Sequence, residues 1–264
     1  MRPLADWSVA DRAPILGVLT DIDDTLTTHA RPGPEALAAI ARLRAAGLPV
    51  IALTGRAVGW SEAAARDWGL TALAAENGAV ALWRDGRRLR RAHALPAAHR
   101  RAHAAQRAAA WRAVQAALPH ARLARDSAGR DTDLAIDHAE NARLSAADVD
   151  RAAHLLRAAG LRVTVSSIHL NAWLGTHDKL TGARWLVRHR LGRDLDAEAD
   201  RWVFVGDSAN DAVMFAHLRH TVAVANGAAA LGGLPRPPAY RTAAARGSGF
   251  AEVAEALLAA RRRP

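Results

Sequence analysis

Ile15-Leu16-Gly17-Val18-Leu19-Thr20 runs without interruption into Asp21-Ile22-Asp23-Asp24-Thr25-Leu26, and that junction decides how the chain is read. A short, continuous apolar run is the pattern of a parallel strand buried on both faces. Its C-terminal end then carries the carboxylates of Asp21, Asp23 and Asp24. In open α/β sheets ligands bind at that end of the strands. Close like charges repel by about 1–4 kcal/mol per pair, depending on the local dielectric. The cluster therefore persists only beside a cation, or with one acid held protonated.

Two other apolar runs end in the same way. Pro49-Val50-Ile51-Ala52-Leu53 leads into Thr54-Gly55-Arg56, and Trp202-Val203-Phe204-Val205 leads into Gly206-Asp207-Ser208-Ala209-Asn210-Asp211. Helical periodicity covers Pro34–Ala46, closed by Gly47, and Ser61–Trp68, stopped by Gly69. A third strand, Thr71–Ala75, precedes the turn signal Glu76-Asn77-Gly78. Strands alternating with helices predict βαβ units and a parallel sheet, whose polar strand ends gather on one edge. Lys179, just ahead of a helix over Leu180–Arg190, falls at the same edge. Later segments resume the alternation, with a helix over Ala212–Leu218 and a strand over Thr221–Ala225.

Between residues 81 and 175 the pattern changes. It reads as a hairpin, a long helix over about Ala97–Leu118, strands around Leu123 and over Asp133–Asp137, a helix over Ser145–Ala159, and strands Val163–Ser167 and His169–Leu174. This αββαββ order suits an antiparallel sheet with helices on one face. The expected fold class is α/β: a Rossmann-like parallel-sheet core from residues 1–80 and 176–264, with an inserted α+β domain at 81–175. Residues 228–249 are small, Pro- and Gly-rich and assign no element. Ala251–Arg261 reads as a closing helix, and any disordered end is confined to Arg262-Arg263-Pro264.

Composition narrows the function. None of the 264 residues is cysteine, which excludes a disulfide framework, a thiol nucleophile and a Cys-ligated zinc site. The N-terminus lacks a signal-peptide core and no apolar stretch is long enough to span a bilayer, so a soluble, cytoplasmic protein is expected. The net charge of +10 is concentrated: residues 84–130 hold twelve Arg against two Asp, a local balance equal to that of the whole chain. Such a face is either a solvated surface or an attractor of anions. No nucleic-acid-binding motif accompanies it, nor is there a Walker loop or a Gly-x-Ser-x-Gly elbow. His99 and His103 have a spacing that metals use, but Arg100 and Arg101 flank them, and they read as surface histidines.

Taken in order, these motifs resemble the haloacid dehalogenase (HAD) superfamily of aspartyl-phosphate hydrolases. Asp21-Ile22-Asp23-Asp24-Thr25-Leu26 is similar to its first motif, Leu53-Thr54-Gly55-Arg56 to its second, Lys179 to its third and Gly206–Asp211 to its fourth. By position and element order the insert is similar to the α/β cap of the branch that includes sucrose-phosphate, trehalose-phosphate and mannosyl-3-phosphoglycerate phosphatases. The resemblance implies that Asp21 is the nucleophile and that Asp23, among neighbouring carboxylates, is the general acid and base. It implies Mg²⁺ held by Asp21, by the backbone carbonyl of Asp23, by Asp207 and by Asp211. Thr54, Gly55, Lys179 and Asn210 would bind phosphate. Asp24 is assigned a structural role. Arg56, His169 and Asn171 are candidate substrate contacts, and Trp173 a candidate wall of a sugar site. The expected function is Mg²⁺-dependent hydrolysis of a small-molecule phosphomonoester, with no membrane partner. A sugar phosphate fits, or, given the basic insert, a glycosyl phosphoglycerate. The alternatives are a phosphosugar mutase using the same aspartyl-phosphate and a basic protein that binds nucleic acid or membrane.

Overall fold

The computed structural model describes residues 1–261, so Arg262-Arg263-Pro264 lies outside the described residues. Its centre is the strand Gly17–Thr20, buried at every position. The strand pairs in parallel with Val50–Leu53 on one side and Trp202–Gly206 on the other. Three strands buried on both faces explain why each reads as an unbroken apolar run.

Among the described residues this sheet has nine strands, in the order Arg2–Pro3, Tyr240–Arg241, His220–Ala223, Trp202–Gly206, Gly17–Thr20, Val50–Leu53, Ala72–Ala75, Val80–Asp85 and Arg88–His93. The first seven in that order run parallel, Val80–Asp85 is antiparallel to them, and Arg88–His93 is antiparallel to Val80–Asp85. Helices Pro34–Ala45 and Arg246–Arg261 cover one face, through Ile40, Leu43, Phe250, Val253 and Leu257. Helices Lys179–Leu191 and Ala212–His217 cover the other, through Leu186, Val187, Met214 and Phe215. Helices on both faces of a mostly parallel sheet make the doubly wound α/β architecture expected from the sequence.

A second, antiparallel sheet orders Arg162–Val165, His169–Trp173, Asp133–Asp137 and Arg122–Leu123. Helices Ala97–Ala117 and Ala146–Ala158 pack on it around Val114, Leu118, Ile136, Leu156 and Leu170, a core separate from the first two. The αββαββ order is present, but its boundary differs from the expected residue 81. The hairpin Val80–Asp85 and Arg88–His93 extends the large sheet, with Leu73 opposite Leu82 and Ala75 opposite Val80. The chain leaves the core sheet only after His93. The closing helix also begins earlier than expected, at Arg246 instead of Ala251.

A turn in the left-handed region, between the strands Ala72–Ala75 and Val80–Asp85 of the large sheet, holds the insert through a side chain. Glu76 (φ 49°), Asn77 (φ 55°) and Gly78 (φ 97°) follow one another, an arrangement that costs free energy in non-glycine residues and needs compensation from its surroundings. The fully buried Glu76 carboxylate supplies it. It accepts the N–H groups of Val58 (3.0 Å), Asp131 (2.9 Å) and Thr132 (2.6 Å) and the Thr132 hydroxyl (2.5 Å). Core and insert are thus fastened through one side chain. At Gly78 a Cβ would fall 2.2 Å from the Asp178 carbonyl, and at Gly182 a Cβ would fall 2.6 Å from Gly78 Cα. Two glycines in backbone contact bring the start of the Lys179–Leu191 helix against this turn, which sets Lys179 at the sheet's carboxyl edge.

Candidate active site

Lys179 is buried, and its ammonium donates to Asp21 Oδ1 at 2.5 Å and to Asp211 Oδ1 at 2.7 Å. Asp21, Asp207 and Asp211 offer carboxylate oxygens that all lie within 4.8 Å of one another. Their positions follow from the strands: Asp21 ends the central strand and its N–H donates to the Val205 carbonyl at 2.9 Å. Asp207 follows the neighbouring strand and accepts from the Thr25 hydroxyl at 3.3 Å. Asp211 turns back so that its Oδ2 accepts the N–H groups of Asp207 (3.1 Å) and Ser208 (3.3 Å). One ammonium faces three carboxylates, so the pocket keeps an excess of negative charge. Burial raises Asp21 to about 7, against the opposing pull of Lys179, and raises Asp207 well above the ordinary carboxylate range. Lys179 moves upward, because the two carboxylates outweigh the burial that opposes its charge. A compact, buried, all-oxygen donor set with surplus negative charge fits a hard divalent cation.

Asp23 lies apart from that cluster. Sequence reasoning surrounded it with carboxylates, but its side chain meets a guanidinium. Arg56 Nε lies 3.0 Å from both Asp23 oxygens and Nη2 lies 2.8 Å from Oδ1. The same Nη2 donates to Glu140 Oε1 of the insert at 2.6 Å, and Glu140 Oε2 meets His169 Nε2 at 3.0 Å. His169 and Arg56 together pull Glu140 down to about 2. The Arg56 guanidinium also lies 4.8 Å from the centre of the Trp60 ring, within cation–π range.

Thr54 and Gly55 sit where the adjacent strand ends. The Thr54 hydroxyl accepts the Arg56 N–H at 3.0 Å, and the Gly55 carbonyl accepts from Asn171 (3.1 Å) and Arg130 (2.9 Å) of the insert. Asn171 also donates to Asp133 at 3.2 Å, so its amide joins insert to core. His169 is held by Glu140. Trp173 is buried, stacked on His177 and donating to its carbonyl at 3.0 Å. Asn210 accepts from Ser208 at 2.7 Å and borders a cavity of about 160 Å³ with Lys179, Asn77 and Trp173. Asp24, at φ 55°, pairs with Arg246 at 2.8 Å.

A larger cavity of about 530 Å³ opens beside Asp23, between core and insert, with Arg56, Arg143, Ser167 and Arg246 in its wall. Neither His169 nor Asn171 lines it. Arg143 and Ser167 belong to loops of the insert, and no motif marks them in the sequence. No arginine of the 84–130 window lines it either. Arg130 is buried against Asp126 and Asp133, Arg90 pairs with Asp85, and Arg91 pairs with Asp131. None of these arginines reaches the cavity wall, so the charge of the window says nothing about the contents of this cavity. Of the two helix histidines, His99 is exposed and His103 half-buried, and neither joins a group of metal donors among the described residues.

Comparison with known proteins bears on this arrangement. Residues 18–103 match the family model of the haloacid dehalogenase-like hydrolases. The chain has the HAD fold. A Thermoplasma acidophilum protein superposes with a TM-score of 0.72 over 92% of this chain and 98% of its own, at 17% identity. The sucrose-phosphatase of Synechocystis, solved with sucrose and phosphate, gives 0.64 over 92% and 97% at 17% identity. A sugar phosphatase of HAD subclass IIB gives 0.60 over 91% and 96% at 15% identity. No curated protein matches the sequence. At these identities the structural likeness speaks for the architecture, core and cap together. Among the described residues no helix is long and apolar enough to cross a membrane.

Proposed function

We propose that this chain hydrolyses small phosphomonoesters, sugar phosphates foremost, through an aspartyl-phosphate on Asp21. The observation that carries the reading is the Lys179 ammonium bridging Asp21 and Asp211, with Asp207 in the same buried cluster. A phosphomonoester dianion needs cationic and N–H donors around its equatorial oxygens, and it needs an oxygen nucleophile in line. Asp21 attacks phosphorus, the ester P–O bond breaks, and the alcohol leaves with a proton from Asp23. Asp23 then takes a proton from the water that cleaves the acyl phosphate, which releases phosphate and restores Asp21. Lys179, the Thr54 hydroxyl and the Gly55 N–H hold the transferring group, with Asn210 beside them. Asp21, Asp207, Asp211 and the Asp23 backbone carbonyl would hold Mg²⁺. The ion would supply the charge that lets an anionic nucleophile meet an anionic ester.

The cap sets the substrate in this reading. The cavity beside Asp23 has the size of small-molecule sites, roughly 300–1,000 Å³. Of its arginines, Arg56 and Arg246 are already paired with acids, and the third, Arg143, suits a glycerate carboxylate and a sugar phosphate alike. The test is phosphate release from a panel of sugar and other phosphomonoesters, with MgCl₂ and with EDTA. No release from any member with MgCl₂ present would overturn the reading. Release of an isomeric sugar phosphate in place of inorganic phosphate would favour the mutase.

A further inference from the structure

We propose that Glu140, a residue of the insert, is a positioning residue for Asp23 and acts through Arg56. The inference rests on the reading of Asp23 as general acid. Asp137, at the end of its strand, accepts the N–H groups of Glu140 and Asn141, both at 2.9 Å, and so fixes the turn that presents Glu140. His169 stands opposite Asp137 in the sheet register and holds Glu140 Oε2 at 3.0 Å. That leaves Oε1 for Arg56, at 2.6 Å. The guanidinium, fixed by Glu140 on one edge and lying over Trp60, presents its Nε–Nη2 edge to Asp23. Charge-assisted bonds of this kind are short and directional, so the orientation of the Asp23 carboxylate in the core is set from the cap.

Asp137, Glu140 and His169 also carry donor types that a cation could use. Both Asp137 oxygens are engaged by backbone N–H groups, however, and Arg56 occupies the oxygen of Glu140 that His169 leaves free. The cluster is organised around a guanidinium.

The role is separable from simple support by the leaving group. An alkoxide needs a proton as it departs, whereas 4-nitrophenolate does not, and kcat/KM covers only the steps up to that departure. Glu140→Gln should lower kcat/KM for the best alkyl phosphate of the panel by about 10- to 100-fold, the range expected when a reacting group is misplaced by about 1 Å. The fall for 4-nitrophenyl phosphate should be several-fold smaller, which shifts the alkyl-to-aryl ratio. Should Glu140→Gln fail to fold, His169→Ala, which removes the donor to Glu140 Oε2 without touching Arg56, should shift the ratio in the same direction by less. An equal fall for both esters, or none, would overturn the proposal. Asp23→Asn is the control. If it leaves the ratio unmoved, the reading of Asp23 fails and this inference with it. If it shifts the ratio and Glu140→Gln does not, only the role of Glu140 is lost.

Discussion

Replacing Lys179 by Met removes one ammonium and keeps most of the apolar stem. The side chains of Lys179, Asp21 and Asp211 are 1%, 5% and 0% exposed, so solvent cannot take over the lost pairing. Deleting one partner of a buried ion pair costs about 3–5 kcal/mol, because the remaining charge is stranded. For a chain of this size about 2 °C of Tm corresponds to each kcal/mol, so Tm should fall by roughly 6–10 °C in EDTA near pH 8. Asp21 already sits at about 7 with the ammonium beside it, and without Lys179 it rises further. Near pH 5 the acids then take up protons in place of the missing cation, and the fall should shrink to less than half. MgCl₂ should return part of the loss near pH 8. Differential scanning fluorimetry at the two pH values, with MgCl₂ and with EDTA, measures all of this. A fall below about 2 °C near pH 8 in EDTA, or an equal fall at both pH values, would refute the argument that Lys179 neutralises buried carboxylates.

Asp21→Asn should abolish phosphate release while the far-ultraviolet circular dichroism stays that of the wild type, since an amide is a far poorer nucleophile; wild-type turnover would exclude Asp21 as the attacking group. The Tm gain from MgCl₂ should grow with pH. Asp21 is raised to about 7 from the unfolded 3.8, so its proton stabilises the cation-free fold fully below about pH 4, and that contribution is lost as pH rises through about 7. The ion, which needs the carboxylates deprotonated, gains over the same interval, and a gain independent of pH would contradict this. Glu76→Ala leaves the N–H groups of Val58, Asp131 and Thr132 and the Thr132 hydroxyl without their acceptor. At about 1–3 kcal/mol for each buried orphan the loss should exceed about 3 kcal/mol, read as a drop of roughly 6 °C or more in a thermal melt.

The core was legible because strands buried on both faces leave continuous apolar runs, and the polar residues at their ends stand out against them. The insert's element order was legible for the same local reasons. Strand partnership was not. The hairpin over Val80–His93 runs from a buried start to an exposed tip, a pattern that names no partner, and the pairing of Leu73 with Leu82 shows which sheet it joins. Arg246-Gly247-Ser248-Gly249 has the composition of a loop, yet it forms the first turn of the last helix. A Cβ at Gly247 would lie 3.0 Å from the Leu26 carbonyl and 3.1 Å from Ala36 Cβ, so glycine there answers to close packing. Glu76 and Glu140 carry no motif. Each acquires its role from partners 18 or more positions away, and at most the Asp137-x-x-Glu140 spacing at a strand end hinted at the second. His169 and Asn171 stand near the return to the core, but His169 meets Glu140 within the insert and Asn171 meets the Gly55 carbonyl across the junction, and neither lines the cavity.

The Gly55 carbonyl, shared by Asn171 and Arg130 of the cap, has a consequence for how this scaffold can diversify. A cap without donors at these two places would leave the Gly55 carbonyl, at the end of a core strand, without its partners. Exchange of whole modules is therefore a poor route to new specificity in this lineage. Change is cheapest at the rim, at positions such as Arg143 and Ser167, where a new side chain alters what the chamber admits and leaves the seam between the halves closed.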